Sequence, residues 1–132
     1  MRAVVTRVSS ASVAIDDQMV GSIQRGYLIL LGVGPGDTEA VADKLAEKIC
    51  NLRVFEDENG KMNLSLEQVG GALLVVSQFT LYADTSSRRP GFTGAAKPEA
   101  AIPLYQRFME TCRARGFRVE HGEFGADMQV SS

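Results

Sequence analysis

The 132-residue sequence predicts a mixed α/β domain with mostly antiparallel strands and two main helices. Three observations carry that reading. Two apolar runs, 27–33 and 72–76, have strand length and no polar interruption, so they read as strands buried on both faces. Only two stretches, near 38–52 and 98–115, show helical periodicity. Two helices cannot supply the crossovers that an all-parallel sheet of six to eight strands needs, so the sheet must be mixed. The length fits one domain. Surface scaling gives roughly 6,800 Å² folded against roughly 20,600 Å² unfolded, enough burial for a core without disulfides or metal.

Residues 2–15 alternate and are rich in Val, Ser and Thr, the pattern of one long strand or a bent pair. Asp16, Asp17 and Gln18 form a turn, and 20–23 is a short strand. The GVGPGDT segment (32–38) breaks the first apolar run, and Asp37 or Thr38 can cap the helix that follows. Val41, Leu45, Ile49 and Leu52 share a helical stripe. A short strand at 53–56 meets an Asn-Gly turn at 58–60. The second apolar run continues into Ser77-Gln78-Phe79-Thr80-Leu81-Tyr82. Residues 84–97 form a long irregular stretch, of the kind that is often functional. Pro98 suits a first helical turn, Pro103 falls early enough to be tolerated, and Gly116 can end the helix. Ile102, Tyr105, Phe108, Met109 and Cys112 share its apolar face. Residues 117–124 read as a strand, and 125–132 begin a last one.

Composition excludes several classes. Hydrophobic residues make up 45% and charged residues 23%, ordinary globular proportions. The longest apolar run, 27–34, has eight residues, far short of the ~20 that a membrane helix needs. Arg7 and the serines after it interrupt any signal-peptide core. The net charge of −2 argues against a protein held on nucleic acid by bulk attraction alone. The charge is uneven: residues 86–118 carry seven Lys/Arg against two Glu, and residues 37–67 carry eight acids against four bases. Both segments read either as solvated helix faces or, for the first, as a modest basic region for a phosphate-bearing ligand. Cys50 and Cys112 have no CxxC neighbour, and a single His makes a Cys/His metal site implausible. Both thiols are expected to be free and to pack helices in a reducing compartment.

Four segments are candidates for chemistry. The glycines at 32, 34 and 36 follow a strand, but the spacing is GxGxG where a dinucleotide loop needs GxGxxG, and Pro35 removes an N–H. A plain strand–helix turn is the better reading. A Ser/His/Asp triad would have to use His121 with Ser77 or Ser131, and nothing local marks that histidine. Ser77, Gln78 and Thr80 turn a buried strand polar at its C-terminal end. They are satisfied either by neighbouring strands or by a ligand in a pocket. Arg88 and Arg89 could hold phosphate by their planar forks, or stand as exposed loop charges.

SQFTLYAD (77–84), RRPGFTGAA (88–96) and FGADMQVS (124–131) together resemble the D-aminoacyl-tRNA deacylase family. MRAVVTRVSSASVAI and KICNLRVFEDENGKMNLSL resemble it too, so the likeness spans the whole chain. It implies a compact barrel-like sheet with flanking helices and a cytoplasmic homodimer whose active sites lie at the interface. It implies hydrolysis of the ester joining a D-amino acid, or glycine, to the 3′-terminal adenosine of tRNA, with no metal or organic cofactor. The partner is then the acceptor end of aminoacyl-tRNA, not DNA or a membrane. The resemblance assigns Ser77, Gln78, Phe79 and Thr80 to catalysis, with main-chain N–H groups near Phe79 and Thr80 facing the oxyanion. Thr80 has no base near it in sequence, and the family instead uses the substrate's 2′-hydroxyl to activate water. Phe124, Gly125 and Met128 match residues lining the adenosine pocket. Arg7 matches a side chain that braces the partner's chirality-reading loop. The family's second signature, built around a Gly–cis-Pro bond, is expected directly after Ser132. The chain is therefore read as one deacylase domain without that motif and the closing strand, either because the sequence is cut short of them, the favoured reading, or because the protein lacks the chiral filter. The rival reading is a non-catalytic RNA- or nucleotide-binding module that uses the Arg88–Arg89 loop.

Overall fold

The computed structural model describes residues 1–91 and 93–132. Phe92, part of the RRPGFTGAA segment, lies outside the described residues. In chain order the elements are β1 (Arg2–Val8), β2 (Ala11–Ile15), β3 (Gln18–Ile23), β4 (Gly26–Gly32), α1 (Glu39–Asn51), β5 (Phe55–Glu56) and β6 (Met62–Leu64). They continue with β7 (Ala72–Ser77), a 3-10 turn (Phe79–Tyr82), α2 (Pro98–Ala114), β8 (Val119–His121) and β9 (Gln129–Ser131). The main sheet has the order β1-β4-β7-β8, a second sheet β3-β2-β9, and β5 pairs with β6. Pairs β1–β4, β2–β3, β2–β9 and β5–β6 are antiparallel, whereas β4–β7 and β7–β8 are parallel. The fold is therefore mixed and mostly antiparallel by pairing. Each parallel pair uses one of the two helices as its crossover. Among the described residues the sheets do not join into a closed barrel.

The central strands explain why their sequences are continuously apolar. Tyr27, Ile29 and Leu31 of β4, with Leu73 and Val75 of β7, join the larger core, which also holds residues of α1 and α2. Leu28, Leu74 and Val76 point the other way, into a smaller core with Ala11, Val13 and Ile23. The period of two thus feeds two cores, and no polar face is left.

The bent pair 2–15 is broken at Ser9 and Ser10, which separate β1 from β2. Asp16 (φ 50°) and Asp17 (φ 63°) both take left-handed backbone, as the tight hairpin between β2 and β3 requires. Thr38 caps α1, its hydroxyl accepting from the Val41 N–H at 3.3 Å. The buried face of α1 is Ala42, Ala46, Ile49 and Cys50, whereas Val41 is 38% exposed. The buried face is thus rotated from the predicted stripe, and α1 meets α2 through Asp43 at Arg107 and Thr111 and through Cys50 at Cys112. Pro98 stands at the start of α2, and the helix runs on through Pro103. Gly116 (φ 93°) closes it with left-handed backbone. The expected strand over 117–124 shrinks to Val119–His121, because it pairs with only three residues of β7.

Candidate active site at the end of the central strand

The strand β7 does not continue to Tyr82 as its sequence suggests. The ladder with β4 ends where the Gln78 N–H donates to Leu31 O at 2.8 Å. The chain then winds into the 3-10 turn Phe79–Tyr82. Polar residues follow the apolar run because the chain leaves the core at this point. Ser77 and Gln78 are half-buried, and Phe79 and Thr80 are exposed. The Gln78 side-chain amide donates to the Thr80 hydroxyl.

The turn is held from three sides. Arg2 Nη1 donates to Leu81 O at 2.8 Å, and the Arg2 guanidinium lies 4.4 Å from the Tyr82 ring centre. The Tyr82 ring is seated against Gly34, where a Cβ atom would come within 2.8 Å of the ring. Gly94 lies against the Tyr82 carbonyl, its missing Cβ leaving room at 2.9 Å. Burial pushes the Tyr82 hydroxyl above its ordinary pKa, and nearby Asp37 adds to the rise.

The glycines of the 32–36 segment are thus explained by an aromatic ring. The Gly34 N–H, which a phosphate loop would offer to a ligand, instead donates to the Asp37 carboxylate at 2.7 Å. The same carboxylate holds the Met1 ammonium at 2.6 Å. The segment is a strand–helix turn.

Facing the end of β7 is the turn at residues 123–128. Ala126 N–H donates to Glu123 O at 3.2 Å, and Gly125 takes φ 80°. Strand β9 leaves this turn and pairs with β2, Val130 opposite Val13. Phe124 meets Tyr105 edge-on, ring centres 6.4 Å apart. The Tyr105 hydroxyl donates to Val75 O at 2.8 Å, which ties this wall back to β7. Gly122 leaves room for the Met128 thioether, which a Cβ there would strike.

Between the walls lies a cleft of about 290 Å³ lined by Val76, Ser77, Gln78, Phe79, Phe124, Gly125, Ala126, Asp127, Met128 and Val130. Six of the eight residues expected at the site meet here: Ser77, Gln78, Phe79, Phe124, Gly125 and Met128. Thr80 is not in the lining but is bonded to Gln78. Arg7 is elsewhere: it donates to Val54 O at 2.7 Å and lines a groove with Val8, Ser9, Arg25, Phe55 and Glu56. Val76, Ala126, Asp127 and Val130 were not foreseen in the lining. The signal for Ala126 and Asp127 was the glycine-led turn itself. For Val130 it was the alternation of β9. Asp127 contributes the one carboxylate in the lining.

The competing sites do not assemble. His121 lies against Gly122 O, with Nδ1 at 2.6 Å, and lines a separate groove with Glu110 and Arg113. Neither Ser77 nor Ser131 shares that groove. The loop bearing Arg88 and Arg89 is pinched by Asp84 and Gly91, which exchange both main-chain hydrogen bonds at 2.7 and 2.8 Å. Both arginines are exposed. Cys50 and Cys112 are free and buried, their sulfurs 3.8 Å apart between the helices. Among the described residues no cluster of three or more His, Cys, Asp or Glu side chains could hold a metal ion. No helix among them is long and apolar enough to cross a membrane.

Comparison with known proteins supplies the context. The D-Tyr-tRNA(Tyr) deacylase family matches residues 4–132. A D-aminoacyl-tRNA deacylase of Shewanella baltica is 58% identical over 132 residues, covering 99% of this chain and 91% of its own length. One from Symbiobacterium thermophilum is 58% identical over 131 residues, covering 98% of this chain and 87% of its own. Among solved structures, a c-Myc DNA unwinding element binding protein superposes with a TM-score of 0.91 at 40% identity, covering 98% of this chain and 89% of that one. A probable eukaryotic D-amino acid tRNA deacylase shares the fold, with a TM-score of 0.82 at 16% identity, covering 98% of this chain and 91% of that one.

Proposed function

Because the chain belongs to the D-Tyr-tRNA(Tyr) deacylase family, whose members hydrolyse D-aminoacyl-tRNA, we propose that the cleft at the end of β7 is where the ester is cut. The chain is a hydrolase, and aminoacyl-tRNA is its substrate. One observation supports this placement above others. The SQFT segment and the FGADM segment, more than forty residues apart, form the two walls of one cleft.

The chemistry follows from what the walls offer. Ester hydrolysis passes through a tetrahedral oxyanion, which needs donors fixed in advance. The main-chain N–H groups of Phe79 and Thr80 are assigned that role at the start of the 3-10 turn. Ser77 and Gln78 shape the space beside them, and Gln78 holds the Thr80 hydroxyl as an acceptor. Phe124, Gly125 and Met128 take the terminal adenosine, the aromatic ring offering a stacking face. Glycine is admitted beside D-residues because it has no side chain to reject. Water is activated with help from the substrate's own 2′-hydroxyl. That assignment suits a cleft whose lining has no histidine or lysine. Thr80→Ala is accordingly expected to lower kcat about ten-fold or less. A loss of about 10⁴-fold or more would make Thr80 a nucleophile and overturn this mechanism.

Arg7 lies outside the cleft of its own chain. A role in bracing a loop of the partner therefore requires a homodimer with sites at the interface. Two features support one. The chain exposes 8000 Å², against roughly 6,800 Å² expected for a compact monomer of its mass. Met19 (67% exposed), Met62 (65%) and Val130 beside the cleft are apolar and turned to solvent. A cytoplasmic location follows from the same substrate.

The deciding experiment is a deacylation time course on D-Tyr-tRNA and L-Tyr-tRNA. Loss of the D-ester with survival of the L-ester is expected, and equal persistence of both would sink the assignment. A second reading, nucleic-acid binding without turnover, is favoured by the 40% identical relative named for binding a DNA element. It predicts saturable binding of uncharged tRNA and a flat time course.

A further inference from the structure

The end of the sheet away from the cleft carries a groove of about 650 Å³ whose lining includes Arg25, Arg115, Arg118, Glu67, Gly71 and Gly116. It lies beside Gly26 and Ala72, the residues with which β4 and β7 begin, whereas the cleft lies at Ser77, where β7 ends. Arg25 also borders the neighbouring groove of Arg7, the side chain assigned above to the partner's loop, so the basic strip itself is Arg25, Arg115 and Arg118.

What distinguishes these arginines is the charge of their partners. Arg107, on the helix face, is neutralised by Asp43 at 2.8 Å and faces Glu39 at 3.7 Å. Arg115 instead donates to the neutral Asn51 Oδ1 at 2.9 Å, and Arg25 lies 5.3 Å above the Phe55 ring. Arg118 Nη2 is shared between the neutral Ser22 O and the Glu120 carboxylate, both at 3.4 Å, so its charge is only partly offset. All three are exposed. Glu67 is the acid in the groove, and Glu56 borders the Arg7 side. The carbonyls at the end of α2 add partial negative charge, which Arg115 at the cap offsets. The strip thus keeps net positive charge on a chain of net charge −2.

Main-chain donors around the groove are already used. Gly71 N–H donates to Leu66 O at 3.0 Å, Ala72 N–H to Arg25 O at 3.1 Å, and Gly116 N–H to Arg113 O at 2.9 Å. Recognition there falls to guanidinium forks, which suit phosphate oxygens and read no sequence.

We propose that Arg25, Arg115 and Arg118 bind backbone phosphates of the substrate tRNA's acceptor stem while the 3′ end occupies the cleft. The proposal rests on the cleft being the deacylation site. The six residues of β7 span about 17 Å at ~3.3 Å each. Because β7 is buried on both faces, the RNA must pass around it, so its path is at least that long and, at ~3.4 Å of rise per nucleotide, takes about five nucleotides or more, beyond the unpaired 3′ end.

The test compares D-Tyr-tRNA with a short D-tyrosyl CCA fragment, using the wild type and an Arg25→Gln, Arg118→Gln double variant. The variant should lose about ten-fold in kcat/KM on full tRNA with an unchanged value on the fragment. The slope of log(kcat/KM) against log[salt] should flatten by about 2. The corresponding Arg→Lys double variant should keep the slope, which a fold defect would not allow. Equal losses on both substrates, or an unchanged salt slope, would overturn the proposal. Filter binding of uncharged tRNA by the same proteins gives the slope independently of turnover. If wild type cleaves neither ester, the deacylase reading fails, and the binding slope still decides the strip.

Discussion

Two buried tyrosines show how differently one side chain can be handled. Tyr105 places its hydroxyl on Val75 O, and burial holds that hydroxyl far above the ordinary tyrosine pKa. Tyr27 is wholly enclosed and stacks on Phe55 at 5.2 Å, yet its hydroxyl has no hydrogen-bond partner among the described residues. Burial raises its pKa as well, with Cys50 adding to the rise. An unpaired buried hydroxyl costs about 1–3 kcal/mol, whereas the ring earns its place by packing. Tyr27→Phe removes the first and keeps the second. It should stabilise the fold by about 1 kcal/mol, a rise in Tm of about 2–6 °C by thermal denaturation. A fall of similar size would show that the hydroxyl has a partner. No pattern in the sequence separates these two tyrosines, because satisfaction depends on which carbonyl the fold brings within 3 Å.

At the level of elements, the end of β7 and the 32–36 turn work as one unit. Tyr82 needs the space left by Gly34, and the turn that carries Tyr82 also carries Phe79 and Thr80. Gly34→Ala puts a Cβ within 2.8 Å of the ring and must displace it. A shift near 1 Å at the turn proposed to carry the oxyanion donors can cost about 10²-fold in rate. The expected result is a fall in kcat of about ten- to a hundred-fold with KM changed less than three-fold, since the Phe124 wall is untouched. Unchanged kcat would mean that the turn is positioned from elsewhere.

The same unit shows what could be read from sequence. The two apolar runs announced buried strands because both faces of β4 and β7 meet a core. The polar residues at 77–80 left two readings open, side chains satisfied by neighbouring strands or a ligand pocket, and Ser77, Gln78 and Phe79 come to line a cleft. The break at Gln78 into a 3-10 turn was not legible, since Phe79, Leu81 and Tyr82 continue an acceptable strand pattern. The glycines at 32–36 were legible as a turn, but the reason for Gly34, the ring of the sequence-distant Tyr82, was not. The face of α1 was misjudged for the same cause. Val41 has the hydropathy of a core residue, but the helix turns Ala42 and Ala46 into the core instead.

Across the whole molecule, pH dependence follows from groups that join distant parts of the chain. Asp43 on α1 accepts from Arg107 Nε at 2.8 Å and Nη2 at 2.9 Å, and from the Thr111 hydroxyl at 2.7 Å, clasping α1 to α2. The Arg107 and Thr111 bonds hold its pKa down at about 2, against an ordinary 3.8. Asp57 and Asp84 are also lowered, first by main-chain donors at Lys61 and Ser86. A carboxylate with a depressed folded pKa stabilises above its unfolded value, and that stability is lost as pH falls through the folded one. Asp84 is exposed and Asp43 and Asp57 are only half-buried, so each effect is modest. At the other limit Tyr27, Tyr82 and Tyr105 have raised pKa values, chiefly through burial. Contact with Cys50 and burial raise the Cys112 thiol. For raised groups the sign reverses: stability is complete below the unfolded pKa and is lost as pH climbs past it. Tm should therefore be level between about pH 5 and 8. It should fall from pH 3.8 toward 2, and fall again above about pH 9. Asp43→Asn should shift the level part down and make the acid fall shallower, because one of the groups that titrates there is gone. Thermal melts of both proteins from pH 2 to 11 check this. An acid fall equally steep in the variant would show that the helix clasp takes no part in it.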